Sequence, residues 1–89
     1  MTKQKRETLK KIDPRMEQIG AKIKQLRIDK GYTNYEHMAW DSGIGRMQYW
    51  RLEKGANFTI SSLFKVLDMH GISLADFFED FTEVHIKDV

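Results

Sequence analysis

The sequence contains no cysteine, and it has one proline and three histidines among 89 residues. Without cysteine there can be neither disulfides nor thiolate metal ligands. The histidines, His37, His70 and His85, lack the short spacings of a zinc site, so we expect no metal and no cofactor. No apolar run approaches the roughly 20 residues of a membrane span, and the basic N-terminus is not followed by a signal-peptide core. We therefore expect a cytoplasmic protein.

The sequence also lacks the motifs of common catalytic sites. It has no G-x-S-x-G motif, no Walker loop and no dinucleotide-binding fingerprint. The carboxylates of residues 76–83 alternate with phenylalanines at helical spacing, which is more typical of a solvated face above a core than of a catalytic pair. We expect no enzymatic activity and assign no catalytic residue.

Charge is unevenly distributed along the chain, although the formal net charge is only +2. Residues 1–30 carry a net charge of +6, residues 31–60 are neutral, and residues 61–89 carry −4. A basic first third suits contact with a polyanion such as nucleic acid. Two ordinary solvated surfaces explain the distribution equally well, so charge alone does not decide the function.

Apolar periodicity predicts an all-α domain of five helices over residues 13–81. We interpret residues 1–12 as a basic arm or a helix extension, and residues 82–89 as a tail that forms a short strand or a dimer contact. The Asp13-Pro14 pair predicts the start of the first helix, and Gly31 ends it. Thr33 and Asn34 are both suitable caps for the second helix, and the sequence leaves this choice open.

The last three helices share one start pattern, in which an apolar residue before the cap matches another five positions later. We place the third helix from about Arg46 to Lys54, where Gly55 ends it, and the fifth from Leu74 to about Asp80. The three matched pairs are Ile44 with Tyr49, Phe58 with Leu63, and Ile72 with Phe77.

The segment from Thr33 to Gly55 predicts two short helices joined by a tight turn. Ala39 is small where the helices would cross, and Gly43 lies where the chain needs a positive φ. Ile44 is the apolar residue beneath the turn. This order of features is typical of a helix-turn-helix, whose second helix would begin at Arg46.

These features, together with others over about residues 15–80, resemble the Cro/C1-type (XRE) helix-turn-helix family. The resemblance implies a compact five-helix, lambda-repressor-like DNA-binding domain whose third helix enters the major groove. At this length we expect a short stand-alone member, a class that includes transcriptional regulators and antitoxins. The matching residues are Gly20, Ile23, Leu26-Arg27, Gly31-Tyr32-Thr33, Met38-Ala39, Ser42-Gly43-Ile44, Leu52-Glu53-Lys54-Gly55 and Ser73-Leu74-x-x-Phe77-Phe78.

The resemblance implies base contacts from Arg46, Met47 and Gln48, with Arg51 one turn further on. Arginine can bond guanine at O6 and N7, glutamine can pair with adenine, and methionine can contact a thymine methyl group. Gly45 leaves the first amides of the third helix open to phosphate or to water. The remaining DNA-binding candidates, each with an ordinary surface role as its alternative, are Asn34, Tyr35, Trp50, Lys54 and Asn57.

Two side-chain pairs are further expectations. We predict that Glu53 is structural and forms a buried or half-buried ion pair with Arg27. We also predict that Trp40 packs on Trp50 across the motif.

The resulting hypothesis is a sequence-specific transcriptional regulator, in the first instance a repressor, that binds double-stranded DNA as a homodimer. The dimer surface would be the fifth helix and the tail, through Phe78, Phe81, Val84 and Ile86. The alternative is a protein-interaction or antitoxin-like module whose tail binds a partner protein. Neither hypothesis involves a membrane.

Overall fold

The computed structural model describes residues 13–81, and in that range it contains five helices and no strand. The all-α prediction is therefore confirmed for this part of the chain. The predicted arm at 1–12 and tail at 82–89 lie outside the described residues. The helices are α1 (Pro14–Asp29), α2 (Tyr35–Ser42), α3 (Arg46–Lys54), α4 (Ile60–His70) and α5 (Leu74–Phe78).

Short polar side chains determine where most of the helices begin. The Asp13 carboxylate accepts a hydrogen bond from the Arg15 amide at 2.8 Å, as the Asp13-Pro14 signal predicted. The Asn34 side chain accepts from the His37 amide at 2.8 Å. Asn34 is therefore the cap of α2, and the choice that the sequence left open between it and Thr33 is resolved.

Helix α5 is shorter than predicted, because it ends at Phe78 and not near Asp80. Beyond it the backbone tightens, with the Glu79 amide bonded to the Asp76 carbonyl and the Phe81 amide to the Phe78 carbonyl. These bonds span three residues and not four, so the chain turns before a further α-helical turn can form.

The core lies where the five helices meet, and every matched apolar pair contributes to it. The second members of the pairs, Tyr49, Leu63 and Phe77, are fully buried, and the first members pack against the core from its edge. Leu52 is also buried, as predicted for the inward side of α3. The other buried apolar residues are Ile23, Met38, Ala39, Val66 and Leu67.

Helix α1 and the end of α3 approach each other almost backbone to backbone. A β-carbon added at Gly20 would lie 2.5 Å from the Glu53 carbonyl oxygen. One added at Gly55 would lie 2.7 Å from the Met16 carbonyl oxygen, and Gly55 also has a φ of +71°. Only glycine suits both positions, which together hold α3 tightly against α1.

A buried ion pair joins the same two helices. Arg27 Nε donates to Glu53 Oε2 at 2.5 Å, and Arg27 Nη1 donates to the Tyr32 carbonyl oxygen at 3.0 Å. Both charged side chains are less than one-tenth exposed. The hydrogen bond to Glu53 raises the pKa of Arg27 above its usual value. The predicted Arg27–Glu53 pair is confirmed.

Candidate nucleic-acid interface

The turn between α2 and α3 is closed by its own backbone. Gly43 has a φ of 78°, and its amide donates to the Trp40 carbonyl. The Ile44 amide reaches back to the Ala39 carbonyl at 3.2 Å. This pair of bonds is the Schellman arrangement, which requires a left-handed residue at the Gly43 position. The turn therefore sets the direction in which α3 begins.

Helix α3 divides cleanly into an inward and an outward side. Its inward side is held by Tyr49 and Leu52 in the core, and burial raises the pKa of the Tyr49 phenol. The outward side carries the predicted contact residues, because positions 47, 51 and 54 follow one another at helical spacing. The exposed side chains of α3 are Arg46, Met47, Gln48, Arg51 and Lys54.

The first residue of α3 is already engaged by the preceding helix. Arg46 Nη1 donates to Glu36 Oε2 at 3.0 Å, and these side chains are 63% and 55% exposed. Glu36 was not among the residues that the sequence predicted for this site. The nine residues between Glu36 and Arg46 run through the rest of α2 and the turn, so no spacing within one helix could have indicated this contact.

A small cleft lies between α3 and the start of α4. It brings together three predicted residues, Gln48, Arg51 and Asn57. The Thr59 hydroxyl lies 2.9 Å from the Ser62 hydroxyl and caps α4 at this edge. Polar and basic groups thus continue from the outward side of α3 onto the neighbouring loop.

The start of α2 holds two of the predicted DNA-binding candidates, Asn34 and Tyr35. The side-chain oxygen of Asn34 is used in its cap, and Tyr35 is partly buried against the core. Neither residue therefore presents its whole side chain to a ligand. The acidic group of Glu36, one residue further on, is the one that reaches α3.

The predicted packing of Trp40 on Trp50 is wrong. Trp40 is 83% exposed, because Met38 and Ala39 take the inward positions of α2. Trp50 is half-buried on α3, and Lys54 Nζ lies 6.0 Å from the centre of its ring. Trp40 is therefore in solvent, whereas Trp50 lies beside Lys54 on α3.

Two negative findings apply to residues 13–81. No group of three or more histidine and acidic side chains in this range is arranged to hold a metal ion. None of the helices in this range has both the length and the apolar character needed to cross a membrane.

Comparisons of the chain with models of protein families, with curated proteins and with solved structures found no match.

Proposed function

We propose that this chain is a sequence-specific DNA-binding protein with a lambda-repressor-like domain of the Cro/C1 type, and that it acts as a transcriptional regulator. The observation that carries the proposal is the outward side of α3. Directly after a glycine turn, this helix exposes three cations, Arg46, Arg51 and Lys54, together with Gln48. Its inward side is held by the core, the close contact at Gly20 and the Arg27–Glu53 pair.

Such a helix has the chemistry needed in a major groove. Arg46 and Gln48 have the donors and acceptors for guanine and adenine edges, and the exposed Met47 offers an apolar surface to thymine methyl groups. Gly45 provides no side-chain cap, which leaves helix amides available to a phosphate. Lys54 and Asn57 are exposed beside the helix end and extend the contact along the backbone.

We further propose that the protein binds as a homodimer. A single small module with three or four base contacts gains affinity and specificity from a second copy, with half-sites about one helical turn (~34 Å) apart. Two residues of the proposed dimer surface are described, with Phe78 exposed and Phe81 partly buried. Their rings contact each other at a centroid distance of 4.9 Å. The other two, Val84 and Ile86, lie outside the described residues.

The experiment that tests this function is selection from random duplex DNA at about 0.15 M salt, where nonspecific phosphate binding is weak. Enrichment of an inverted repeat is expected. Enrichment of a single short half-site would support DNA reading and contradict the dimer. A folded protein that enriches no sequence would contradict the proposed function.

One observation favours the protein-interaction or antitoxin-like module as a second candidate. Trp40 is 83% exposed on α2, and large aromatic side chains are enriched at protein interfaces. Under this hypothesis, Trp40→Ala should abolish partner binding and leave any selected DNA motif unchanged. Under the DNA-binding proposal alone, Trp40→Ala should change neither the motif nor the affinity.

A further inference from the structure

Glu36 lies in the first turn of α2 and reaches the first residue of α3. Its Oε2 atom accepts a hydrogen bond from Arg46 Nη1 at 3.0 Å. The acid is well placed there, because the positive end of a helix dipole stabilises a carboxylate. Arg46 is also at a helix start, where the dipole disfavours an unpaired cation. The contact therefore offsets the unfavourable position of the Arg46 cation at the start of α3. It does so with a carboxylate, Glu36, that the start of α2 stabilises.

The pair changes what Arg46 can recognise. A guanidinium has five N–H donors in a planar fork. Contact through Nη1 leaves the edge formed by Nε and Nη2, which matches the two acceptors O6 and N7 of guanine. The positive charge, in contrast, is offset by the adjacent carboxylate of Glu36.

Phosphate and guanine differ in how they attract an arginine. Binding to phosphate comes mainly from charge and from the release of counterions, whereas a guanine edge is recognised by directional hydrogen bonds. Arg46, paired with Glu36 through Nη1, keeps the donors of its Nε and Nη2 edge, but its positive charge is offset by the carboxylate. The pairing therefore weakens attraction to any phosphate more than it weakens recognition of guanine.

We propose that Glu36 is a specificity-determining residue that restrains Arg46 from binding phosphate and so reserves it for a base edge. The inference rests on the proposed DNA-binding function. It assigns a role in that function to a residue of α2 that reads no base itself and acts through Arg46.

The salt dependence of binding tests this inference. Affinity of the full chain is measured by fluorescence anisotropy on the selected site and on a random-sequence duplex of equal length. One phosphate contact contributes about 0.9 to the slope of log affinity against log salt. With Glu36 present, Arg46→Ala should leave the slope on the random duplex nearly unchanged. In the Glu36→Gln background, Arg46→Ala should reduce the slope by about 0.9.

Glu36→Gln alone should raise affinity for the random duplex by about two- to fivefold, the range that corresponds to an exposed ion pair. Affinity for the selected site should rise less, so the ratio of specific to nonspecific affinity falls. Asp68→Asn is the matched control, because it removes one exposed negative charge from α4, a helix to which no base contact is assigned. Circular dichroism verifies that each variant is folded, and Glu36→Ala provides a second variant of Glu36.

Three outcomes would overturn the inference. If Arg46→Ala reduces the slope by about 0.9 with Glu36 present, Arg46 is an ordinary phosphate contact. If Glu36→Gln raises affinity for the random duplex equally in the Arg46→Ala background, Glu36 acts by general repulsion of DNA and not through Arg46. If the wild-type protein selects no sequence, the proposed function itself fails, which the first two outcomes do not imply.

Discussion

Replacing Arg27 with methionine removes the cation of the buried ion pair and keeps a long side chain. Arg27 donates to Glu53 Oε2 at 2.5 Å, to Glu53 Oε1 at 3.3 Å and to the Tyr32 carbonyl oxygen at 3.0 Å. The two charged side chains are only 9% and 8% exposed, so bulk water cannot easily solvate the remaining carboxylate. We therefore expect a much larger loss of stability than an exposed ion pair would show.

The uncompensated Glu53 carboxylate sets the size of the loss. Removing one partner of a buried pair costs about 3–5 kcal/mol, a large fraction of the roughly 5–15 kcal/mol that stabilises a small domain. The double variant Arg27→Met, Glu53→Leu should recover most of the loss, because apolar replacement of a whole pair is often neutral. Arg15→Met is the matched control and should cost less than about 1 kcal/mol, since the Arg15 side chain is mostly exposed.

Urea unfolding, followed by tryptophan fluorescence and circular dichroism, gives the free energy of unfolding for each variant. A loss below about 1 kcal/mol for Arg27→Met would refute the reasoning, because it would place the pair in the energetic range of surface contacts. An equal loss in the double variant would show that altered packing, and not the unpaired charge, is responsible.

Three further predictions concern other parts of the fold. Gly20→Ala should cost about 1–3 kcal/mol in urea unfolding because its β-carbon would meet the Glu53 carbonyl oxygen, whereas Gly45→Ala, which enters open space, should cost less; equal losses would contradict the close approach. Arg46→Ala should cost about 1–3 kcal/mol on the selected site and relax base choice at one position; uniform weakening on all duplexes would contradict base reading. Burial, and then the charge of Lys30, lowers the pKa of His70. As the pH falls, the unfolded chain therefore binds a proton at His70 before the folded protein does, and the free energy of unfolding should fall below about pH 6.5. An equal fall in the His70→Gln variant would exclude this cause.

Much of the secondary structure could be predicted from local signals. The bounds of α3, at Arg46 and Lys54, are those expected from its neighbouring glycines and apolar pairs. Caps, glycine turns and matched apolar pairs act between residues a few positions apart, so the sequence contains all the groups involved. For the same reason the buried side of α3, with Tyr49 and Leu52, followed from helical spacing alone.

Where two local signals competed, the sequence could not decide between them. Thr33 and Asn34 both have side chains suited to a cap, and the structure uses Asn34, whose backbone is extended at φ −132° and ψ 154°. The end of α5 was predicted too late, at about Asp80, because the bonds that tighten the chain after Phe78 were not apparent from the sequence. Which residue caps a helix, and where the helix ends, depends on the path that the chain takes to the neighbouring helix.

The sequence by itself determined the all-α fold of residues 13–81, the turn between α2 and α3 and the residues on the outward side of α3. Only the tertiary structure decided which distant side chains meet. It left Trp40 in solvent, buried the Arg27–Glu53 pair and placed Glu36 against Arg46. The physical reason is that such contacts depend on how whole helices are placed relative to one another. The close approach of α1 to α3 and the turn at Gly43 set this placement, and the spacing of residues within one helix does not predict it.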